Sequence, residues 1–228
     1  MRAGERLVGT DGKEVMLFPL PYMYISQGEF ETFSHAGTYN MDFLGWDSNG
    51  RVYQAPMYAP CSCRCVATID AYNNGRIFQS LDRVHTPNGL QYVTFMCFHD
   101  NNPIASVGDT FTQGDIFAHT GTAGNVTGDH THFNTANGSF NPNNYWEHVP
   151  PDGYGELVNS THIYDICYVN DTVLVYDYGY NWVTYSGGHT PTTFKKSNFP
   201  WVLYAKKLRD KKYWQIVSFN IYYCKRRI

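Results

Sequence analysis

The sequence predicts a mostly β fold with an antiparallel sheet at its core, and two observations carry that reading. Aromatic residues make up 17% of the 228-residue chain, with 19 Tyr and 14 Phe, beside many Thr, Asn and Gly. Aromatic and β-branched side chains suit a pleated, half-buried surface, while Gly and Asn suit tight turns. Short apolar runs also recur between turn signals, which favours many short strands over long helices. With 43% apolar residues, the chain is long enough to bury a substantial core.

Taken in order, Met16–Ile25 and Tyr53–Pro60 are the first apolar runs. Arg64–Asp70, Ile77–Leu81 and Leu90–Phe98 then read as strands. Asn73-Asn74-Gly75 and Pro87-Asn88-Gly89 are hairpin punctuation between them. Val107-Gly108-Asp109, Gln113-Gly114-Asp115 and the loop Gly121–Gly128 each adjoin a further short run, so the whole reads as a meander. Asn141-Pro142-Asn143-Asn144 and Pro150-Pro151-Asp152-Gly153 break the pattern like a linker. Beyond them, Ile163–Val169 and Val173–Tyr178 flank Asn170-Asp171 as two strands of a hairpin. The expected division is a domain over residues 1–149 and a small, β-rich, basic C-terminal extension over 150–228.

Charge is distributed unevenly. The net charge is −3, yet residues 84–194 carry acidic side chains and no Lys or Arg, whereas the cations from Lys195 to Arg227 face the single acid Asp210. Such asymmetry predicts that the tail has its own partner or docks on the acidic body. A nucleic-acid track needs clustered Lys and Arg, so the body is not expected to bind nucleic acid. No apolar stretch is long enough for a membrane span; Val15–Ile25 is interrupted by Pro19 and Pro21. Met1–Arg6 leads into the polar segment Gly9–Glu14, so no secretory signal is expected.

Cys61, Cys63 and Cys65 alternate, which places them on one face of a strand. Zinc knuckles space their cysteines differently, so small side chains on a buried face are the simpler reading. Cys97, Cys167 and Cys224 are scattered.

Chemistry concentrates elsewhere. His35 and Asp42, His99 at the end of an apolar run, and the pair His130 and His132 in GDHTHF form an ordered set. A mononuclear zinc hydrolase needs such a kit: three protein ligands, an open position for water, and spare proton-handling groups. His130 and His132 alone would be weak, since an H-x-H is expected by chance about 0.35 times in such a composition. On a strand, however, both point to one side.

With order and context added, the chain resembles the lysostaphin-type (LytM-like) zinc endopeptidases. Those enzymes share an H-to-D motif, a strand-end histidine, and a Gly-rich loop leading into HxHF, here GTAGNVTGDHTHF. The resemblance spans roughly residues 20–137. Six residues separate His35 from Asp42 where the commonest family spacing is three, and Phe98-His99-Asp100 replaces the usual aromatic-His-Leu. The longer spacing is similar to that of peptidase domains in phage tail-tip and lysin proteins.

The resemblance implies an antiparallel sheet of the lysostaphin type. It makes His35, Asp42 and His132 the ligands of one Zn2+ ion, with His99 and His130 as the catalytic pair; which of the two is the base stays open. It further implies hydrolysis of peptide bonds in bacterial peptidoglycan, cross-bridge or stem. The setting would be a phage endolysin or a virion-borne tail lysin, in the virion tail or in the host cytoplasm before lysis. A non-catalytic phage structural or wall-binding protein retaining the fold is the alternative.

Partners would be peptidoglycan, anionic wall polymers through the basic C-terminus, and phage tail proteins. His85, His119, His148, His162 and His189 read as ordinary surface or core side chains. Tyr24, Tyr39 and Tyr92 are candidates for a peptide groove, against ordinary strand packing.

Overall fold

Side-chain alternation along a few short strands decides where the core and the site lie. The structure, a computed structural model, describes residues 1–30, 33–149, 154–169, 173–176, 182–185, 201–207 and 214–220. Its main sheet has ten strands, numbered in chain order: β1 (Met23–Gln27), β2 (Met41–Phe43), β3 (Cys63–Ile69), β4 (Gly75–Ser80), β5 (Val93–Phe98), β6 (Thr110–Phe111), β7 (Thr131–Asn137), β8 (Ser160–Thr161), β9 (Val173–Tyr176) and β10 (Trp182–Tyr185). The order across the sheet is β6-β3-β4-β5-β7-β2-β1-β9-β10, with β8 pairing β7. Every pairing is antiparallel except β1 with β9. The mostly β, antiparallel expectation therefore holds, and helix among the described residues is confined to single turns at Phe33–His35 and Ile163–Ile166.

Period-two alternation separates two faces. On one, Met41 and Phe43 of β2, Phe95 and Cys97 of β5, and Phe133 of β7 join Phe18, Ile25 and Phe78 in the main core. Phe78 stacks on Phe95 at 5.4 Å, and Phe117 meets Phe78 edge-on at 4.9 Å. A buried Phe of this kind stabilises by roughly 3–5 kcal/mol relative to Ala. On the other face, Met96 and Phe98 meet Ile77, Ala136 and Leu157 in a smaller cluster. That second face also carries Asp42 and His132.

The turn signals are used as read. Asn74, at φ +54°, closes the β3–β4 hairpin, and Pro87-Asn88 links the short strands Val84–Thr86 and Gly89–Gln91. The alternating cysteines are buried: Cys63 and Cys65 lie on β3 beside Cys61, Cys97 and Cys167 in the core. All five are unpaired thiols, and Cys224 lies outside the described residues.

The segment read as a linker is folded where it is described. Trp146–Val149 and Tyr154–Leu157 form an antiparallel hairpin, while residues 150–153 lie outside the described residues. The chain stays on the same core beyond that point, since Ile163, Ile166 and Cys167 are buried with the residues of β1, β2 and β5. In the basic tail, Trp201–Lys207 pairs with Trp214–Asn220, and the rest, including most of its cations, lies outside the described residues. No helix among the described residues is long and apolar enough to cross a membrane.

Candidate metal centre

Three neighbouring strands bring the motifs together. His132 on β7 stands directly opposite Asp42 on β2 and, on its other side, opposite Phe98 on β5. A register slip of one residue in any of these strands would turn its member of the trio to the other face. His35 arrives from the single turn Phe33–His35, whose loop is pinned by Phe30 N–H donating to Thr38 O at 3.0 Å.

Three donor atoms converge. His132 Nδ1 is 3.1 Å from Asp42 Oδ1, His35 Nε2 is 3.2 Å from His132 Nδ1, and His35 Nε2 is 3.3 Å from Asp42 Oδ1. His35 Nδ1 donates to Gly28 O at 2.9 Å, which leaves its Nε2 as a lone-pair donor. A tetrahedral ion about 2.0–2.1 Å from each donor would space the donors by about 3.3–3.4 Å. The donor chemistry, two imidazoles and one carboxylate, and the observed spacing both fit zinc, and this trio is the one metal-capable cluster found among the described residues.

Electrostatics favour the ligand forms. Burial pushes the Asp42 carboxyl up, but the imidazoles of His35, His130 and His132 outweigh it and hold the group well below the usual carboxylate range. Burial depresses the His132 imidazole, against the opposing pull of Asp42, so it stays neutral. Phe98 stacks on the His132 ring at 5.4 Å and walls it off from water.

The other two histidines stand beside this trio. His130 Nε2 is 3.5 Å from Asp42 Oδ2, and its ring is 4.7 Å from that of His99. His130 Nδ1 donates to Gly128 O at 2.8 Å, and His99 Nδ1 to Ala123 O at 2.8 Å. Each imidazole thus keeps a lone pair on Nε2. Burial first, then the neighbouring imidazoles of His130 and His132, push the His99 pKa down to about 4. His99 also has φ +80°, a left-handed conformation rare for a side chain of this size. Its N–H is held by Asn73 O at 2.8 Å and its carbonyl by Ala123 N–H at 3.1 Å. Strain of this kind persists only where surroundings enforce it.

All five residues of the sequence set therefore lie in one cluster. Of the discounted histidines, His85 pairs with Asp11 at 2.9 Å and His119 lies 3.4 Å from Asp100. His162 Nδ1 meets the buried Glu29 at 2.5 Å, and His189 lies outside the described residues. Tyr24 is buried and stacks on Trp46 at 4.1 Å, while Tyr39 packs edge-on against Phe30 at 4.8 Å and Tyr92 lies under the Arg83 guanidinium.

The hairpin Trp146–Leu157 was missed as part of the site. Trp146 packs on Phe98 at 6.3 Å, Leu157 N–H donates to Asn134 Oδ1, and Gly155 O accepts from Asn40 Nδ2. Asn40 and Asn134 lie two residues from Asp42 and His132, so the hairpin flanks the centre. The large side chains Trp146 and Leu157 were the available signal.

No family model matches the chain. Over 179 residues, 77% of its length, it is 35% identical to Morphogenesis protein 1 of Bacillus phage B103, and it spans 46% of that protein. Its fold is similar to the antimicrobial peptidase lysostaphin from Staphylococcus simulans, with TM-score 0.42 and 16% identity over 84% of this chain and 68% of that one. A zinc-containing peptidase from Vibrio cholerae aligns with TM-score 0.37 and 16% identity over 58% of this chain and 43% of that one. Both of these solved proteins are peptidases.

Proposed function

We propose that the chain is a zinc-dependent endopeptidase hydrolysing peptide bonds in the cross-bridges or stem peptides of bacterial peptidoglycan, acting as a phage endolysin or tail lysin. The observation that carries the reading is the convergence of His35 Nε2, Asp42 Oδ1 and His132 Nδ1 within 3.3 Å of one another, with His130 Nε2 at 3.5 Å from the same carboxylate. The lysostaphin-type order of the motifs and the similarity to a phage morphogenesis protein support the substrate and the setting.

His35, Asp42 and His132 would hold the ion. When bound, zinc supplies Lewis acidity that lowers the pKa of a water and polarises a carbonyl. The residues alongside divide the proton work. His99 and His130 both present an Nε2 lone pair, which can accept a proton from the attacking water and return it to the leaving amine. Between those two transfers the protonated imidazole donates toward the oxyanion at the scissile carbonyl, and it is neutral again once the amine has taken the proton. Phe98 and the hairpin from Trp146 exclude water from one side and strengthen these interactions.

The test is release of new amino termini from purified peptidoglycan by the intact chain, by the chelated chain, by the chelated chain resupplied with zinc, and by His130→Ala. Hydrolysis should vanish with chelation, return with zinc, and fall by at least about 100-fold in His130→Ala. Clearing that survives both chelation and the substitution would falsify the zinc mechanism. A zinc-binding chain that releases nothing would be a wall-binding or structural protein.

A further inference from the structure

The Asp129 carboxylate is buried where three segments meet. Its Oδ1 accepts from the Thr120 hydroxyl at 2.6 Å and its Oδ2 from the Gln54 amide at 2.9 Å. Its main-chain carbonyl accepts from the Arg51 guanidinium. The Thr120 hydroxyl in turn accepts from Ala55 N–H at 2.8 Å. One carboxylate therefore ties residues 51–55, the end of the strand Ile116–His119, and the approach to β7.

The residues next to these contacts hold the two imidazoles. Gly121, after Thr120, exchanges two main-chain hydrogen bonds with His130, after Asp129, at 2.9 and 3.0 Å. The carbonyl that accepts from His99 Nδ1 belongs to Ala123, and the one that accepts from His130 Nδ1 belongs to Gly128. Both carbonyls lie on the loop 121–128, whose ends are joined by the Thr120–Asp129 bond. A charged acceptor bonded by two donors makes a stronger tie than a neutral one.

We infer that Asp129 is a positioning residue: by closing the loop 121–128 it holds the two carbonyls that set the tautomers of His99 and His130. This rests on the reading of those histidines as the proton-handling pair. An Asn in its place would keep the shape but not the carboxylate: with its N–H2 turned to the Thr120 hydroxyl it donates to an oxygen that already accepts from Ala55 N–H, so a neutral bond of reversed direction replaces the charge-assisted tie and the loop closure weakens.

The experiment is long-range 1H–15N spectroscopy of the histidine rings in the zinc-loaded full chain, combined with kinetics on solubilised peptidoglycan. In Asp129→Asn, the Nδ1–H tautomer should be lost or mixed at His99 and His130, while His35 keeps its Nδ1–H and His132, whose Nδ1 faces the ion, keeps its Nε2–H form. Zinc affinity should stay within about threefold, and kcat should fall on the order of 10–100-fold with KM little changed. Thr120→Val should act in the same direction, and Thr120→Ser should restore both readouts. If Asp129→Asn does not fold, the Thr120 pair decides.

Retention of both tautomers and of kcat within threefold in Asp129→Asn or Thr120→Val overturns the inference. So does an equal disturbance at all four rings, which would make Asp129 a general support of the fold. A wild type that binds zinc without hydrolysing peptidoglycan sinks the peptidase reading instead, while the tautomers still decide the role of Asp129.

Discussion

His132 and Asp42 face each other across β7 and β2 as directly paired residues, with His132 Nδ1 3.1 Å from Asp42 Oδ1. The pairing makes the strand register itself a determinant of the site. Because both lie on the face opposite Phe133 and Phe43, the core that buries those rings also aims these two side chains at one point.

Replacing Asp42 with Asn tests the charge in that pair. The amide is nearly isosteric but offers a neutral oxygen, so the ion would lose its only anionic protein ligand. Zinc affinity, measured by competition with a chromophoric chelator, is expected to fall by about two orders of magnitude or more while metal-free thermal stability changes little. Unaltered affinity in Asp42→Asn would remove the carboxylate from the ligand set.

Two glycines of the loop between the imidazoles offer a steric test. A Cβ on Gly121 would come within 2.1 Å of His99 O and 2.4 Å of Asn101 Oδ1, whereas a Cβ on Gly128 meets nothing within 4 Å. Gly121→Ala must push the His99 backbone away, and a displacement of about an ångström at a catalytic group can lower the rate on the order of 100-fold. Gly128→Ala should leave turnover within about twofold. Equal rates for the two variants would show that the loop does not position His99.

These relationships separate what sequence makes legible from what it hides. The convergence of His35, Asp42 and His132 was legible because a metal-capable set restricts residue type, and alternation on a strand restricts direction. The β character was legible for the same reason, since Phe95, Cys97 and Phe133 follow period two. The hairpin at Trp146–Leu157 was not, because the Pro, Asn and Gly around it match linker composition. Its attachment runs through the isolated apolar side chains Trp146 and Leu157 and through side-chain hydrogen bonds from Asn40 and to Asn134, with no periodicity to betray it. Asp129 was hidden likewise: an Asp beside a Gly reads as a turn residue, and its partners Thr120 and Gln54 are distant in sequence. The left-handed backbone of His99 leaves no trace in composition.

Acid should destabilise the metal-free chain through His99. Its folded pKa is about 4, against the ordinary 6.5 expected when unfolded. Above pH 7 the ring is neutral in both states and contributes no pH dependence. Between about pH 6.5 and 4 the unfolded chain takes up a proton that the folded chain refuses, so stability falls as pH falls. His132, depressed by burial, adds in the same direction. Urea unfolding at pH 7.5 and 4.5 should show a loss smaller by about 2–3 kcal/mol in His99→Gln than in the parent chain. Equal losses in the two proteins would mean that His99 is protonated in the fold.

The buried thiols should be silent. Burial pushes Cys61 and Cys63 well above their ordinary range, raises Cys97 and Cys167 strongly, and moves Cys65 to about 11 despite the nearby Arg76. Thiolate is both the nucleophile and the metal ligand, so groups held protonated in the core neither react readily nor compete with the His–Asp–His trio for zinc. Peptide mapping after alkylation of the native chain at pH 8 should find these five cysteines unlabelled over hours, and all labelled in denaturant. Rapid labelling of Cys63 or Cys97 in the native chain would contradict their burial in the main core and reopen a thiolate role in metal binding.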